Sequence, residues 1–394
     1  MMLLDPFRCF LLGAVLLSPA FGAPSYPISS KSMEKIGDCI DYQIPVTTRT
    51  EALVWDLPKF SNNFDVSAFI LSLIRRTTGP DVIPFNPFSG SKNVTREYKI
   101  GATFCSPKNS SKGGHEETFL LATHGLGYDR RYWIPAVNTS EYSFAEYAVS
   151  KGYSIFMYDR VGTGKSSRVS GYNESQISTH LAILTSLTNS LKSGQYTGTV
   201  GKPSKIVHVG HSFGSILTHS LVQQDPSLSD GIILTDTGYN QSDFPAIFEG
   251  GRLNIANSVS PTKYLGLNSG YLAFADIYGN SGTFFNPAHF DPDALWYTQH
   301  IAQPLAAIEL LPGASGPPGA TNFTGPVLLL TGEYDFNCAG NCNGILEHPA
   351  REIFRKSKAF QAAVHPKSGH GINFNPNATG AFGVMTDFLS QSGF

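Results

Sequence analysis

Residues 205–223 place Gly210-His211-Ser212-Phe213-Gly214 between a short apolar run, Lys205-Ile206-Val207-His208-Val209, and an apolar-periodic stretch through Ile216, Leu217, Ser220 and Leu221. No other feature constrains the fold as much. The first run reads as a strand and the second as a helix, so the serine sits on a turn too tight for bulky neighbours. Glycines two residues to either side let the backbone bend sharply and let the helix pack close. Such a turn lifts the Ser212 hydroxyl above the strand end and aims a helix N-terminus at whatever the oxygen attacks. In a chain with 39 glycines the pentapeptide alone could be an incidental turn. Its place between strand and helix gives it weight.

Two further strand ends point the same way. Thr118-Phe119-Leu120-Leu121-Ala122-Thr123 runs into His124-Gly125-Leu126-Gly127, a flexible backbone whose Leu126 N–H, with Gly125 beside it, can face a developing oxyanion. The Phe213 N–H is the second donor expected there. Pro326-Val327-Leu328-Leu329-Leu330-Thr331 ends in Gly332-Glu333-Tyr334-Asp335, and the run from Ala359 to Val364 leads to Pro366-Lys367-Ser368-Gly369-His370-Gly371. The order Ser212, Asp335, His370 suits a nucleophile, an orienting carboxylate and a base, each following a strand where parallel sheets collect their sites. Glu333 is the rival carboxylate. Asp335, two positions further out on the loop, is the better placed to reach His370.

These motifs, together with Asp159-Arg160-Val161-Gly162-Thr163-Gly164-Lys165-Ser166, span most of the chain from about residue 95 onward. In them the chain resembles secreted α/β-hydrolases of the fungal serine esterase and lipase-like kind. The resemblance implies an α/β-hydrolase fold with Ser212 as nucleophile, His370 as base and Asp335 as its carboxylate partner. It says nothing of the substrate. The region before residue 95, with a helical stretch from Val66 to Ile74, exceeds what the minimal fold needs.

The N-terminus reads as an export signal. Arg8 precedes an apolar run from Cys9 to Leu17, and the small residues Ala20, Gly22 and Ala23 set cleavage near Gly22. Asp5 weakens the positive end, and an uncleaved anchor is the competing reading, though the run is short for a span. Cys39, Cys105, Cys338 and Cys342 remain after cleavage, an even count that suggests two disulfides in an exported chain. The favoured pairing is Cys39–Cys105, clamping two early strands, and Cys338–Cys342, closing a small loop after Asp335. Half a zinc site at Cys338 and Cys342 finds no partner pair at finger spacing, so no metal is expected. Asn93, Asn109, Asn138, Asn173, Asn240, Asn322 and Asn377 each open an Asn-x-Ser/Thr sequon, which favours a secreted glycoprotein with those residues at the surface.

Charge and hydropathy remove other classes. The formal net charge is −2 with no basic run, which argues against nucleic acid. No apolar stretch of about 18 residues follows the N-terminus, which argues against a stable membrane span. Gly164-Lys165-Ser166 resembles the tail of a phosphate-binding loop, but position 159, where that motif starts with glycine, holds Asp159. Asp159 and Arg160 read as structural, and His211 as packing within the turn.

Strands are expected at Gln43–Thr47, Arg96–Phe104, Thr118–Thr123, Tyr153–Tyr158, Lys205–Val209, Gly231–Leu234, Val327–Thr331 and Ala359–Val364, mostly alternating with helical or long connections. That rhythm predicts a mainly parallel eight-stranded sheet flanked by helices. The expected organisation is a signal peptide (1–22), an N-terminal extension with the first strand (23–94), core (95–238), an insertion (239–322) and core again (323–394). The aromatic-rich insertion falls between the sixth and seventh core strands and ends in Pro312-Gly313-Ala314-Ser315-Gly316-Pro317-Pro318-Gly319. It reads as a helical cap on a hinge, with Phe244 and Phe248 as candidate substrate contacts. The same aromatics could instead form the cap's own core.

The chemistry expected is hydrolysis of a small apolar carboxylic ester, lactone or thioester through an acyl-enzyme, with no cofactor. Two other classes stay open. One is a step in small-molecule (secondary-metabolite) biosynthesis using the same residues. The other is a non-catalytic binding module, against which stands the full set of three residues.

Overall fold

The computed structural model describes residues 36–74, 87–108, 114–239, 248, 250–286, 288–311, 319, 321–338 and 340–394. The expected signal peptide, most of the hinge, Asn109, Asn240 and Phe244 lie outside the described residues.

Eight strands form one sheet: β1 (Asp38–Trp55), β2 (Phe88–Ser106), β3 (Thr118–Thr123), β4 (Ser154–Tyr158), β5 (Lys205–His211), β6 (Gly231–Thr235), β10 (Val327–Gly332) and β11 (Phe360–His365). Their order across the sheet is β1-β2-β4-β3-β5-β6-β10-β11. From β4 to β11 every neighbouring pair is parallel, whereas β1 and β2 join antiparallel at one edge. The inner strands β3, β4 and β6 are buried along their whole length. Helices cover both faces of a parallel sheet, so such strands read as continuous apolar runs rather than alternations.

The edge ribbon is longer than the sequence indicates. β1 spans Asp38–Trp55 rather than Gln43–Thr47 because it pairs with β2 from Asp38↔Ser106 to Trp55↔Phe88. Ile44, Val46 and Thr48 turn inward while their neighbours face out, the period of a half-buried strand. A disulfide joins Cys39 to Cys105, which are directly opposed in that register. Helix α1 (Asn63–Ile74) leaves the ribbon and meets the insertion, where Asn63 accepts the Ile255 amide at 2.9 Å.

The remaining main helices are α2 (Phe144–Ser150), α3 (Ile177–Lys192), α4 (Phe213–Gln224), α5 (Ile277–Phe284), α6 (Pro292–Ile301), α7 (Glu347–Ile353) and α8 (Ala378–Gln391). Within the described residues the insertion is not purely helical, which corrects the expectation of a helical cap. Alongside α5 and α6 it carries a three-stranded antiparallel sheet of β7 (Leu253–Ile255), β8 (Tyr271–Phe274) and β9 (Leu305–Ala306). Only β8 and β9 are buried throughout, and strands this short leave no periodic signal. Phe248 is buried in the same hydrophobic core.

Among the sequons, Asn93, Asn138, Asn322 and Asn377 are exposed. Asn173 departs from the expected surface position. It is half-buried, and its Oδ1 accepts the Trp55 amide at 3.3 Å.

Candidate active site

The turn after β5 is as tight as its sequence requires. Ser212 takes φ 53° and ψ −118°, outside the regions L-residues favour. It is held there by its own amide, which donates to Thr235 O at 2.9 Å, and by the start of α4. A Cβ on Gly214 would come 2.0 Å from Thr123 O, and one on Gly210 would come 2.5 Å from Gly214 O. Only glycine lets α4 press against β3 at this depth.

Because β3, β5, β6, β10 and β11 run parallel, the loops at their C-terminal ends meet at one edge of the sheet. There Ser212 Oγ lies 2.7 Å from His370 Nε2. His370 Nδ1 lies 2.9 Å from Asp335 Oδ2 and 3.0 Å from its Oδ1. Asp335 and His370 are buried, and Ser212 is partly exposed. Glu333 takes no part: it accepts the Lys367 amide at 2.8 Å and the Asn343 side chain at 3.1 Å, both away from His370.

The Asp335 loop is held from several sides. Its carboxylate accepts the Asn337 amide at 2.8 Å, and its carbonyl accepts the Cys338 and Gly340 amides, each at 3.1 Å. Cys338 is bonded to Cys342, whose amide donates to Glu333 O at 2.9 Å, so the disulfide closes the loop that presents the carboxylate. His370 is packed between rings, with Phe336 at 4.1 Å and Phe284, from α5, at 5.8 Å between centroids. The Gly371 amide donates to Phe284 O at 2.8 Å, which ties the histidine loop to the insertion.

Gly125 sits against the serine: a Cβ there would come 2.9 Å from Ser212 Cβ and 2.7 Å from His211 Nδ1. Among the described residues no acceptor meets the Leu126 or Phe213 amide. Two unpaired N–H groups beside a serine hydroxyl can bind an oxyanion. A cavity of about 730 Å³ between β1, α3 and α4 shares no residue with this cluster.

Several contributors have no signature in the motifs. Asp236 follows β6 directly and is fully buried, accepting the Gly332 amide at 3.1 Å and the Ile372 amide at 3.0 Å. It therefore braces the loops carrying Asp335 and His370. Burial, and then the charge of Asp335, push its carboxyl well above the usual range. Its place at a strand end, like the other site residues, is the signal that could have singled it out. His211 stacks on Tyr132 at 4.0 Å, and its Nε2 lies 3.0 Å from His370 O. Burial and the neighbouring His370 hold its imidazole well below the ordinary value, so it serves as a neutral brace.

Asp159 accepts the Arg130 and Lys165 amides at 2.9 and 2.7 Å and pairs with the Arg130 guanidinium. It organises the loop after β4. Arg160, on the same loop, pairs with Glu309 and is fully buried. Glu309, Asn337, Phe284 and Phe336 stand in no motif that marks them as site residues.

The model of the alpha/beta hydrolase family matches residues 119–381, and this chain belongs to that family. Among solved structures it is similar to a thermophilic esterase from Thermogutta terrifontis, with 18% identity, a TM-score of 0.52, and coverage of 75% of this chain and 94% of that one. It is also similar to the enol-lactonase from Burkholderia xenovorans, with 14% identity, a TM-score of 0.50, and coverage of 74% and 97%. No curated protein matches the sequence. At these identities the likeness is one of fold. Among the described residues no helix is long and apolar enough to cross a membrane.

Proposed function

We propose that this α/β-hydrolase is a serine hydrolase that cleaves carboxylic ester, lactone or thioester bonds of a small apolar substrate. One observation carries the reading: Ser212 Oγ is 2.7 Å from His370 Nε2, whose other nitrogen is 2.9 Å from a buried Asp335. A serine hydroxyl is a weak nucleophile near neutral pH, so a neutral imidazole must take its proton during attack. His370 is within reach of that proton and later returns it to the leaving alcohol or thiol. Asp335 fixes the tautomer with Nδ1–H and stabilises the imidazolium. The Leu126 and Phe213 amides hold the tetrahedral oxyanion, each contributing about 3 kcal/mol to the transition state. Water then attacks the acyl-enzyme, with His370 as base, and Ser212 is regenerated.

The cysteines fit an exported protein. Two disulfides join all four cysteines outside the N-terminal segment, the usage of an oxidising compartment. The N-terminal signal pattern and the sequons make this a secreted glycoprotein in our reading. The insertion, packed on His370 through Phe284, serves as the roof over the acyl pocket.

The test is a panel of p-nitrophenyl esters of rising acyl length, with lactones beside them, assayed on wild type and Ser212→Ala. Turnover of short to medium esters by wild type, and none by the variant, is expected. Equal rates for the two proteins would reject the reading.

A further inference from the structure

Besides Phe284, the insertion reaches toward the site through a buried carboxylate. Glu309 lies on a single 3-10 turn, Ala307–Leu310, and is 2% exposed. Its Oε1 is 2.5 Å from Arg160 Nη1 and 2.9 Å from His180 Nε2, and its Oε2 accepts the Ala306 amide at 2.9 Å. Arg160 in turn touches the Gly125–Leu126 peptide and the Phe213 side chain. Its Nη2 donates to Gly125 O at 3.3 Å, and its guanidinium lies over the Phe213 ring at 4.8 Å. Its amide donates to His124 Nε2 at 3.0 Å, so the His124 proton is on Nδ1, which donates to Gly125 O at 2.9 Å. Gly125 O therefore has two donors, Arg160 Nη2 and His124 Nδ1.

A trans peptide holds its carbonyl and the following N–H in one plane, pointing to opposite sides of the C–N bond. Fixing Gly125 O toward Arg160 and His124 thus fixes the Leu126 N–H on the side away from them. A buried ion pair seldom adds stability, because removing two charges from water costs as much as their attraction returns. The Arg160–Glu309 pair is therefore poorly explained as a stabiliser of the fold, while its donors converge on the loop that carries Leu126.

We infer that Glu309 and Arg160 are positioning residues for the oxyanion hole: the insertion, through Glu309, holds Arg160 so that the Leu126 and Phe213 amides stay aimed at the oxyanion. This rests on the serine-hydrolase reading. It makes the insertion part of the transition-state machinery as well as a cover.

The experiment compares the full chain with its Glu309→Gln and Arg160→Lys variants, using a p-nitrophenyl ester and a trifluoromethyl ketone. The ketone adds the serine oxygen reversibly to its carbonyl and needs the oxyanion hole to do so. Expected are kcat values about 10- to 100-fold lower with KM within about threefold, and ketone inhibition weakened in parallel. Should Glu309→Gln fail to fold, Glu309→Asp keeps the charge, shortens the reach, and is expected to show the same split. A folded variant with wild-type kcat and ketone affinity overturns the proposal, as does a lower melting temperature with both unchanged. Ser212→Ala separates the two ideas. If it still turns over ester, the serine reading itself fails; if it is inactive while Glu309→Gln behaves as wild type, only the positioning role falls.

Discussion

Asp335 and Glu333 stand two residues apart on one loop, and only the first touches His370. Losing the Asp335 carboxylate leaves the histidine in the wrong tautomer, so Asp335→Asn should lower kcat by about 10³- to 10⁴-fold while KM changes little. Glu333→Gln should stay within a few-fold of wild type, and steady-state kinetics on one ester decides between them. A large loss in Glu333→Gln with a mild Asp335→Asn would reverse the assignment. Ser212, His370 and Asp335 are legible in the sequence because each follows an apolar strand run in a short, glycine-bearing motif. Glu309 is not: it is one acid in the apolar run Leu305-Ala306-Ala307-Ile308-Glu309-Leu310, and its partners Arg160 and His180 are distant in the chain. Asp236 lies between these cases, at a strand end but in no recognisable motif.

At the scale of elements, the two disulfides have different work. Cys39–Cys105 crosses a ribbon already held by a long antiparallel register, far in sequence from the reacting groups. Replacing both cysteines with serine should cost about 2–4 kcal/mol of stability and leave kcat unchanged. Cys338–Cys342 closes the loop that presents Asp335, so its double serine variant should lower kcat more than it lowers the melting temperature. Kinetics and thermal unfolding on both double variants check this; equal kcat losses, or none in the second, would contradict it. The inner strands are readable because burial on both faces makes them continuous apolar runs. The outer half of the ribbon, beyond Thr47, is not, since Arg49 and Glu51 are polar and extended only because β2 pairs with them. β7 and β9 are too short for any period to register.

Over the whole molecule, buried carboxylates of opposite tendency shape the response to acid. Burial alone would raise Glu309, but Arg160 and then His180 outweigh it and hold the carboxyl down at about 2, below its ordinary 4.5. Its folded pKa is thus depressed, so whatever the pair's net worth, stability is at its full value for this group above 4.5 and falls as pH drops toward 2. Asp159 runs the other way: burial and then Asp129 raise it to about 6 from 3.8, so its contribution is present below 3.8 and is lost as pH rises through 6. Thermal melts from pH 7 to 2 should show Glu309→Gln losing less stability than wild type between 4.5 and 2; parallel curves would contradict this. The central claim, that Ser212 is the nucleophile of a serine hydrolase, is tested most directly by covalent labelling. Incubating the full chain with a fluorophosphonate and mapping the adduct by peptide mass spectrometry should place one phosphonyl group on Ser212. Ser212→Ala should take up none. Labelling that persists in Ser212→Ala, or an adduct mapped to another serine, would contradict the account.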